Sequence, residues 1–161
     1  MSPTVRAARP EDAAAIAAIY SEGIADRIAT FETEARTTED VLAWFQSGHP
    51  IVVVEALGGI VGYAAAFPYS DRCCYAGIAE FSVYVARSSR GRGLGRLAMQ
   101  GLIQALRERG YHKLLSRVFP ENVASLRMLG ALGFREVGLH RRHGMLDGVW
   151  RDVVAVEYLI E

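Results

Sequence analysis

The stretch Arg90-Gly91-Arg92-Gly93-Leu94-Gly95-Arg96 decides how this chain is read. Its three alternate glycines let the backbone approach a ligand that side chains would hold off. From Gly93 to Arg109, Leu94, Leu97, Ala98, Gly101, Leu102, Ala105 and Leu106 recur at helical spacing, with Arg96, Gln100, Gln104 and Arg107 opposite; Gly110 ends the helix. Before the glycines runs an apolar strand closing on Phe81-Ser82-Val83-Tyr84-Val85. A glycine turn between strand and helix leaves the first helical N–H groups unpaired at the positive end of the helix, which is a pyrophosphate site. Arg90, Arg92 and Arg96 add positive charge around it. The loop lacks the Gly-Lys-Ser/Thr of a nucleoside-triphosphate loop. Its G-x-G-x-G spacing, placed mid-chain after a hairpin, is not the dinucleotide fingerprint either.

Outward from this stretch the chain alternates strands and helices. Toward the N-terminus, Val5 to Ala8 reads as a short strand. A helix follows with Pro10 in its first turn, Glu11 and Asp12 at its positive end, and Ile16, Ile19 and Tyr20 on one face. Ser21 to Arg36 is polar and irregular and contains Thr30-Phe31-Glu32. Thr37 or Thr38 caps a second helix with the apolar stripe Val41, Leu42 and Phe45. Ile51 to Ala56 and Ile60 to Phe67 form a hairpin about Gly58-Gly59. After a loop from Pro68 to Arg72, a longer strand runs to Ala86. Toward the C-terminus come a strand from Lys113 to Phe119, a helix from Asn122 to near Gly133, and strands from Phe134 to Arg142 and from Val149 to Ile160. The fold class is mixed α/β, in the order β-α-α-β-β-β-α-β-α-β-β, as one domain over residues 1–161.

Bulk properties narrow the partners. Eighteen basic residues balance eighteen acidic ones, so no net field draws the chain to nucleic acid or to an anionic membrane. No apolar run reaches the ~18 residues of a membrane span. Arg6 and Arg9 before Ala13 to Tyr20 imitate a signal peptide, but Glu11 and Asp12 abut that run and no cleavage site follows it closely. The only cysteines, Cys73 and Cys74, are adjacent, too close for an unstrained disulfide, and are expected to be buried or tolerated thiols. That fits a reducing, cytoplasmic compartment. The four histidines are scattered, and no metal-ligand spacing appears.

The glycine stretch resembles the acyl-CoA motif of the GNAT (GCN5-related N-acetyltransferase) superfamily, in which Arg90, Gly93 and Gly95 match the arginine, glycine and glycine positions. A second match is Asn122-Val123-Ala124-Ser125, opening a helix that ends in Leu132-Gly133-Phe134. The resemblance implies a central, mostly antiparallel, twisted sheet of about seven strands flanked by about four helices. It also implies acetyl-CoA as cosubstrate. The backbone of Val83, Tyr84 and Val85 would meet the acetyl-pantetheine arm, the loop Arg90, Gly91, Arg92, Gly93, Leu94, Gly95 and Arg96 the diphosphate, and Asn122 and Ser125 the border of the arm.

Three further blocks, Thr30-Phe31-Glu32, Glu80-Phe81-Ser82-Val83-Tyr84-Val85 and Gly148-Val149-Trp150-Arg151-Asp152, look like the phosphinothricin and methionine-sulfoximine acetyltransferases, including their arsinothricin-acetylating branch. These acetylate the α-amine of small toxic amino acids and are typically homodimers. The chain departs from many relatives at Ala76, where they carry Arg, and at Leu129, where they carry Tyr or His; Leu129 leaves no side-chain acid for the departing thiolate. Glu80 is the candidate general base, because a charge in an apolar central strand is costly to bury without purpose. A structural ion pair is the alternative use of the same carboxylate. One backbone amide of Val83 to Val85 would steady the charge that develops on the thioester oxygen. On the substrate side stand Phe31 and Glu32 at the amine, with Phe31 a loop anchor in the alternative; Arg72 for an acidic group or as a solvated loop arginine; Tyr75 as pocket or core; and His143 at the substrate or on the surface. Trp150 and Asp152 hold the last strand and the dimer. Acetylation of a polyamine, an aminoglycoside or a protein N-terminus stays open, as does a catalytically silent acyl-CoA sensor.

Overall fold

The computed structural model describes residues 2–161. One sheet carries, in chain order, β1 (Thr4–Ala7), β2 (Ile51–Ala56), β3 (Gly59–Pro68), β4 (Ile78–Val85), β5 (Lys113–Val118), β6 (Arg135–Leu146) and β7 (Val149–Leu159). The α-helices are α1 (Ala13–Asp26), α2 (Thr38–Gln46), α3 (Leu94–Glu108) and α4 (Val123–Leu132), with single 3₁₀ turns at Pro10–Asp12, Cys73–Tyr75 and Arg87–Ser89. In space the strands run β1-β2-β3-β4-β5-β7-β6. Each neighbouring pair is antiparallel except β4 and β5. This is the mixed, mostly antiparallel seven-stranded sheet with four helices that the family resemblance implies.

That parallel pair is short. It holds only Ile78 opposite Lys113, Ala79 opposite Leu114 and Glu80 opposite Leu115. β4 is bound to β3 along seven pairs, from Gly62–Val85 to Pro68–Ala79, and β5 to β7 along six. Each half of the sheet therefore follows its own antiparallel partner, and the strand twist carries the halves apart past Glu80. One bond crosses there, from the Ser116 hydroxyl to the Phe81 carbonyl at 3.2 Å.

Alternation along the strands fills both faces. Val52, Val54, Ala64 and Phe81 pack with Met99, Leu102 and Leu106 of α3 on one side. Ile51, Val53 and Tyr63 pack with Ile16, Ile19 and Val41 on the other. Each fully buried large apolar side chain contributes about 1.5–3 kcal/mol. Gly101 lets α3 lie against β1, for a Cβ there would stand 2.5 Å from Val5 Cγ1.

Local chemistry explains several boundaries. Thr37 is the cap of α2: its hydroxyl accepts from Asp40 N at 3.2 Å, while the Asp40 carboxylate accepts from Thr37 N at 2.9 Å. Asn122 caps α4 by accepting from Ser125 N.

Other expectations are corrected. Ser21 to Asp26, read as irregular, continues α1, because Gly23 and Ile24 pack inward and the helix closes only at Arg27 in the left-handed region. β6 extends to Leu146 rather than stopping at Arg142, since a bulge between His140 and Gly144 absorbs two extra residues and pairing resumes. Cys73 and Cys74 lie exposed on a 3₁₀ turn, not buried or in extended backbone, because the strand begins only at Ile78. Among the described residues no helix is long and apolar enough to cross a membrane.

Candidate active site

The divergence of β4 from β5 leaves one backbone edge of β4 without a strand partner. The Phe81 carbonyl faces this edge, where it takes the Ser116 bond, and so does the Val85 carbonyl, which accepts from Arg90 Nε at 3.3 Å. Strand backbone repeats every two residues, so Val83 between them also turns its N–H and C=O into the gap.

The chain leaves β4 through the Arg87–Ser89 turn and reaches α3 through glycines of alternating conformation: Gly91 has φ +80° and Gly93 +75°. Positive φ is what L-residues avoid. Gly93 is the N-cap of α3 and offers no side-chain cap, so the first amides of the helix have no intrahelical partner. A Cβ on Gly91 or Gly93 would meet nothing within 4 Å; the glycines supply conformation and open approach. The result is a concave nest of amides at a helix N-terminus, a geometry that can receive an anion. A cavity of about 340 Å³ opens over it, lined by Val83, Tyr84, Val85, Arg90, Gly91, Gly93, Leu94, Gly95, Arg96, Asn122 and Ser125, among others.

The arginines of the loop divide their work. Arg90 Nη1 binds Asp26 at 2.7 Å, and Arg87 Nη2 binds the other oxygen of Asp26 at 2.8 Å. The two guanidiniums, Arg87 first, hold the Asp26 carboxyl below its usual range. Arg90 thus ties the loop to the end of α1 instead of adding a free charge, whereas Arg92 and Arg96 have no carboxylate partner among the described residues.

A second cavity of about 400 Å³ adjoins the first, and Ala29, Val83, Tyr84, Asn122 and Ser125 border both. Its lining includes Tyr20, Phe31, Glu32, Phe67, Glu80, Ser82, Arg117, Phe119 and Leu129. Glu80 reaches it from the last paired position of β4, half-buried, with Oε1 accepting from Arg117 Nη2 at 2.9 Å. Thr30-Phe31-Glu32 covers one side. Phe31 meets Phe119 edge-on at 4.9 Å and lies over Gly144, where a Cβ would come within 2.7 Å of its ring. Arg36 binds Glu32 at 2.5 Å, and Arg27 binds Asp147 at 2.9 Å, fastening the segment at both ends. Beneath, Tyr20 and Tyr84 pack at 5.0 Å. Burial pushes the Tyr20, Tyr63 and Tyr84 hydroxyls above their ordinary range, so all three stay protonated. The Tyr63 and Ser82 hydroxyls are buried without a hydrogen bond of normal geometry.

Three expected substrate residues stand apart from this cavity. Arg72 and Tyr75 sit on the exposed turn after β3, the guanidinium 5.8 Å from the Tyr75 ring centre and Tyr75 edge-on to Tyr69. His143 lies exposed in the β6 bulge, stacked on His140 at 4.6 Å. The residue that sequence reasoning missed is Arg117. Its strand gave no such signal as Glu80 had, because β5 also carries Lys113 and Ser116. Leu129 forms an apolar wall, so α4 presents no acid from that position.

Comparison with known proteins agrees with this architecture. A family model described as "Acetyltransferase (GNAT) family" matches residues 16–134. An L-methionine sulfoximine/L-methionine sulfone acetyltransferase of Salmonella typhimurium is 30% identical over 162 residues, covering 98% of this chain and 95% of that protein. A phosphinothricin N-acetyltransferase of Streptomyces coelicolor is 32% identical, covering 95% and 94%. The structure of yncA from Salmonella typhimurium, solved with its cofactor acetyl-CoA, superposes with a TM-score of 0.94 at 29% identity, covering 100% of this chain and 95% of that one. With a splayed β4–β5 pair, an amide nest at the start of α3 and these relatives over nearly its whole length, the chain belongs to the GNAT family of acetyltransferases.

Proposed function

We propose that this chain transfers the acetyl group of acetyl-CoA to the α-amine of a small, glutamate-like toxic amino acid of the phosphinothricin, arsinothricin or methionine sulfoximine type, conferring resistance. The observation that carries the reading is the single opening at β4: an anion-binding nest and a carboxylate-bearing cavity meet at Val83 and Tyr84. The nest from Gly91 to Arg96 would hold the diphosphate, with Arg92 and Arg96 nearby. Val83 to Val85 would take the pantetheine arm along the open edge, bordered by Asn122 and Ser125. When bound, acetyl-CoA supplies a thioester-activated acetyl group: the N–C bond forms as the C–S bond breaks and CoA leaves as its thiol.

The chain's own part is to orient the amine and take its proton. An α-amine has a pKa of about 8, so at pH 7 its deprotonation costs only on the order of 1 kcal/mol. Glu80 is the acceptor of that proton, directly or through one water. Its Oε2 takes no hydrogen bond among the described residues, which leaves one oxygen free for the task. Most of the rate gain then comes from holding amine and thioester together. Phe31 and Glu32 close the amine side.

The exposed apolar residues Val137, Leu139, Met145, Val149 and Trp150 on β6 and β7 support a homodimer formed through this end of the sheet. Two free, exposed cysteines support a reducing, cytoplasmic setting. Residues 1–161 act as one domain.

The test is release of CoA thiol from acetyl-CoA across an amine panel. Turnover with phosphinothricin, arsinothricin or methionine sulfone supports the reading. Turnover confined to polyamines, aminoglycosides or peptide N-termini transfers the acceptor to that class. Tight CoA binding with no turnover on any amine defeats the enzymatic reading in favour of a sensor.

A further inference from the structure

We infer that Arg117 is the acceptor's anion-binding residue, and that in taking that anion it releases Glu80 to act as base. The inference rests on the reading of Glu80 given above. It assigns one residue of the cavity to the acceptor's own anionic group and makes that group's arrival the event that frees Oε1 of Glu80.

The charges lining the acceptor cavity are few. Glu32 and Glu80 are its carboxylates, and Arg117 is its one cation among the described residues. Arg72 is outside the lining. Arg151, the neighbouring guanidinium, is engaged with the Phe119 ring at 4.4 Å and with Glu121 at 3.4 Å. Glu32 already has Arg36. An acceptor carboxylate, phosphinate or arsonate entering this space therefore has a single positive group to meet, and that group is bound to the proposed base.

The ion pair is built to be exchanged. It is a single-point contact, Nη2 to Oε1 at 2.9 Å, with the Arg117 side chain 48% exposed and the Glu80 side chain 29% exposed. Exposed pairs of this kind contribute little. The other N–H groups of the Arg117 guanidinium make no hydrogen bond among the described residues. A carboxylate offered from the cavity can instead take two parallel N–H donors, the stronger arrangement for a guanidinium. Arg117 stands two residues past Leu115, the last β5 position paired with β4, so it spans the mouth of the gap where the acceptor must lie.

When the anion takes Arg117, Oε1 of Glu80 loses its partner while the acceptor's ammonium arrives beside it. One N–H bond of the ammonium breaks, its electron pair stays on nitrogen, and an O–H bond forms on Glu80. Two opposite charges become two neutral groups, and no further reactant is needed. An amine without an anion leaves Arg117 on Oε1 and has only Oε2 of Glu80 to receive its proton. Selectivity thus arises in kcat as well as in KM.

The experiment compares methionine sulfone with its own α-carboxamide, which carries no anion, on wild type, Arg117→Met and Arg117→Lys. Wild type should prefer the acid over the amide by on the order of 30-fold in kcat/KM. In Arg117→Met that preference should fall to within about threefold, through loss on the acid and a rise in kcat on the amide, with the KM for acetyl-CoA unchanged. Arg117→Lys, which keeps the charge but not the fork, should retain part of the preference. Melting temperature and acetyl-CoA affinity of both variants check that they are folded. An equal loss on acid and amide in folded Arg117→Met would make Arg117 merely structural and overturn the inference. So would an intact preference in that variant, or a wild type that acetylates amino acids and amides alike, and in that last case the function proposed above still stands. A wild type that binds acetyl-CoA but acetylates no amine overturns both.

Discussion

The nest at the start of α3 and the cavity around Glu80 share β4 yet are made of different material. The nest is backbone: alternating φ at Gly91 and Gly93, uncapped amides of α3 and the open edge at Val83. The cavity is side chains from six helices and strands and the loops between them, among them Tyr20 of α1, Phe31 of the loop after it, Glu80 of β4, Arg117 of β5 and Leu129 of α4. A site made of backbone recognises what every acyl-CoA has in common. A site made of side chains can change its acceptor by exchanging one residue.

If this division is sound, damage on the two sides should separate in kinetics. Glu80→Gln has the largest expected effect, a fall of ~10²–10⁴ in kcat with acetyl-CoA affinity unchanged, read from steady-state rates and calorimetry. Wild-type-like turnover would strip Glu80 of its role and leave only the ion pair. Gly93→Ala should act on the other side. A left-handed residue other than glycine costs about 1–2 kcal/mol, so acetyl-CoA binding should weaken about tenfold with a matching drop in stability, and the acceptor KM should hold. Gly144→Ala pushes on the Phe31 ring and should raise the acceptor KM about fivefold, at about 1 kcal/mol of stability, with cofactor affinity untouched. A shift in acetyl-CoA affinity instead would mean that the Phe31 segment serves both cavities.

The smallest effect concerns Asp26. Its folded pKa is depressed by Arg87 and Arg90, so its contribution is complete above the ordinary carboxylate range near pH 4 and is lost as pH falls through the folded value. Asp26→Asn should flatten that acid limb of the stability curve and weaken acetyl-CoA binding about threefold at pH 7. An unchanged acid limb would show that Arg90 does not need Asp26 to place the loop.

Much of this was readable before any coordinates, unevenly across the two sites. The Gly91–Gly93–Gly95 spacing, the stripe of α3 and the apolar end of β4 are contiguous in the chain, and each follows from a local rule. Glu80 stood out because one charge in an apolar strand is conspicuous. Arg117 went unread, since β5 also holds Lys113 and Ser116 and the meaning of Arg117 lies in the partner opposite. Arg90 was read as free charge because Asp26 is 64 positions away. Phe31 was named, but not the missing side chain at Gly144 that seats it.

The sequence by itself determined the order of the elements and the glycine turn that opens α3, because capping, periodicity and glycine's freedom at positive φ act over a few neighbouring residues. Only the tertiary structure decided that β4 and β5 part after Glu80, that Arg117 meets that carboxylate, and that Arg72, Tyr75 and His143 stand outside the cavity. These depend on which strands pair and how far their twists diverge, a property of the whole sheet that no short stretch of chain contains.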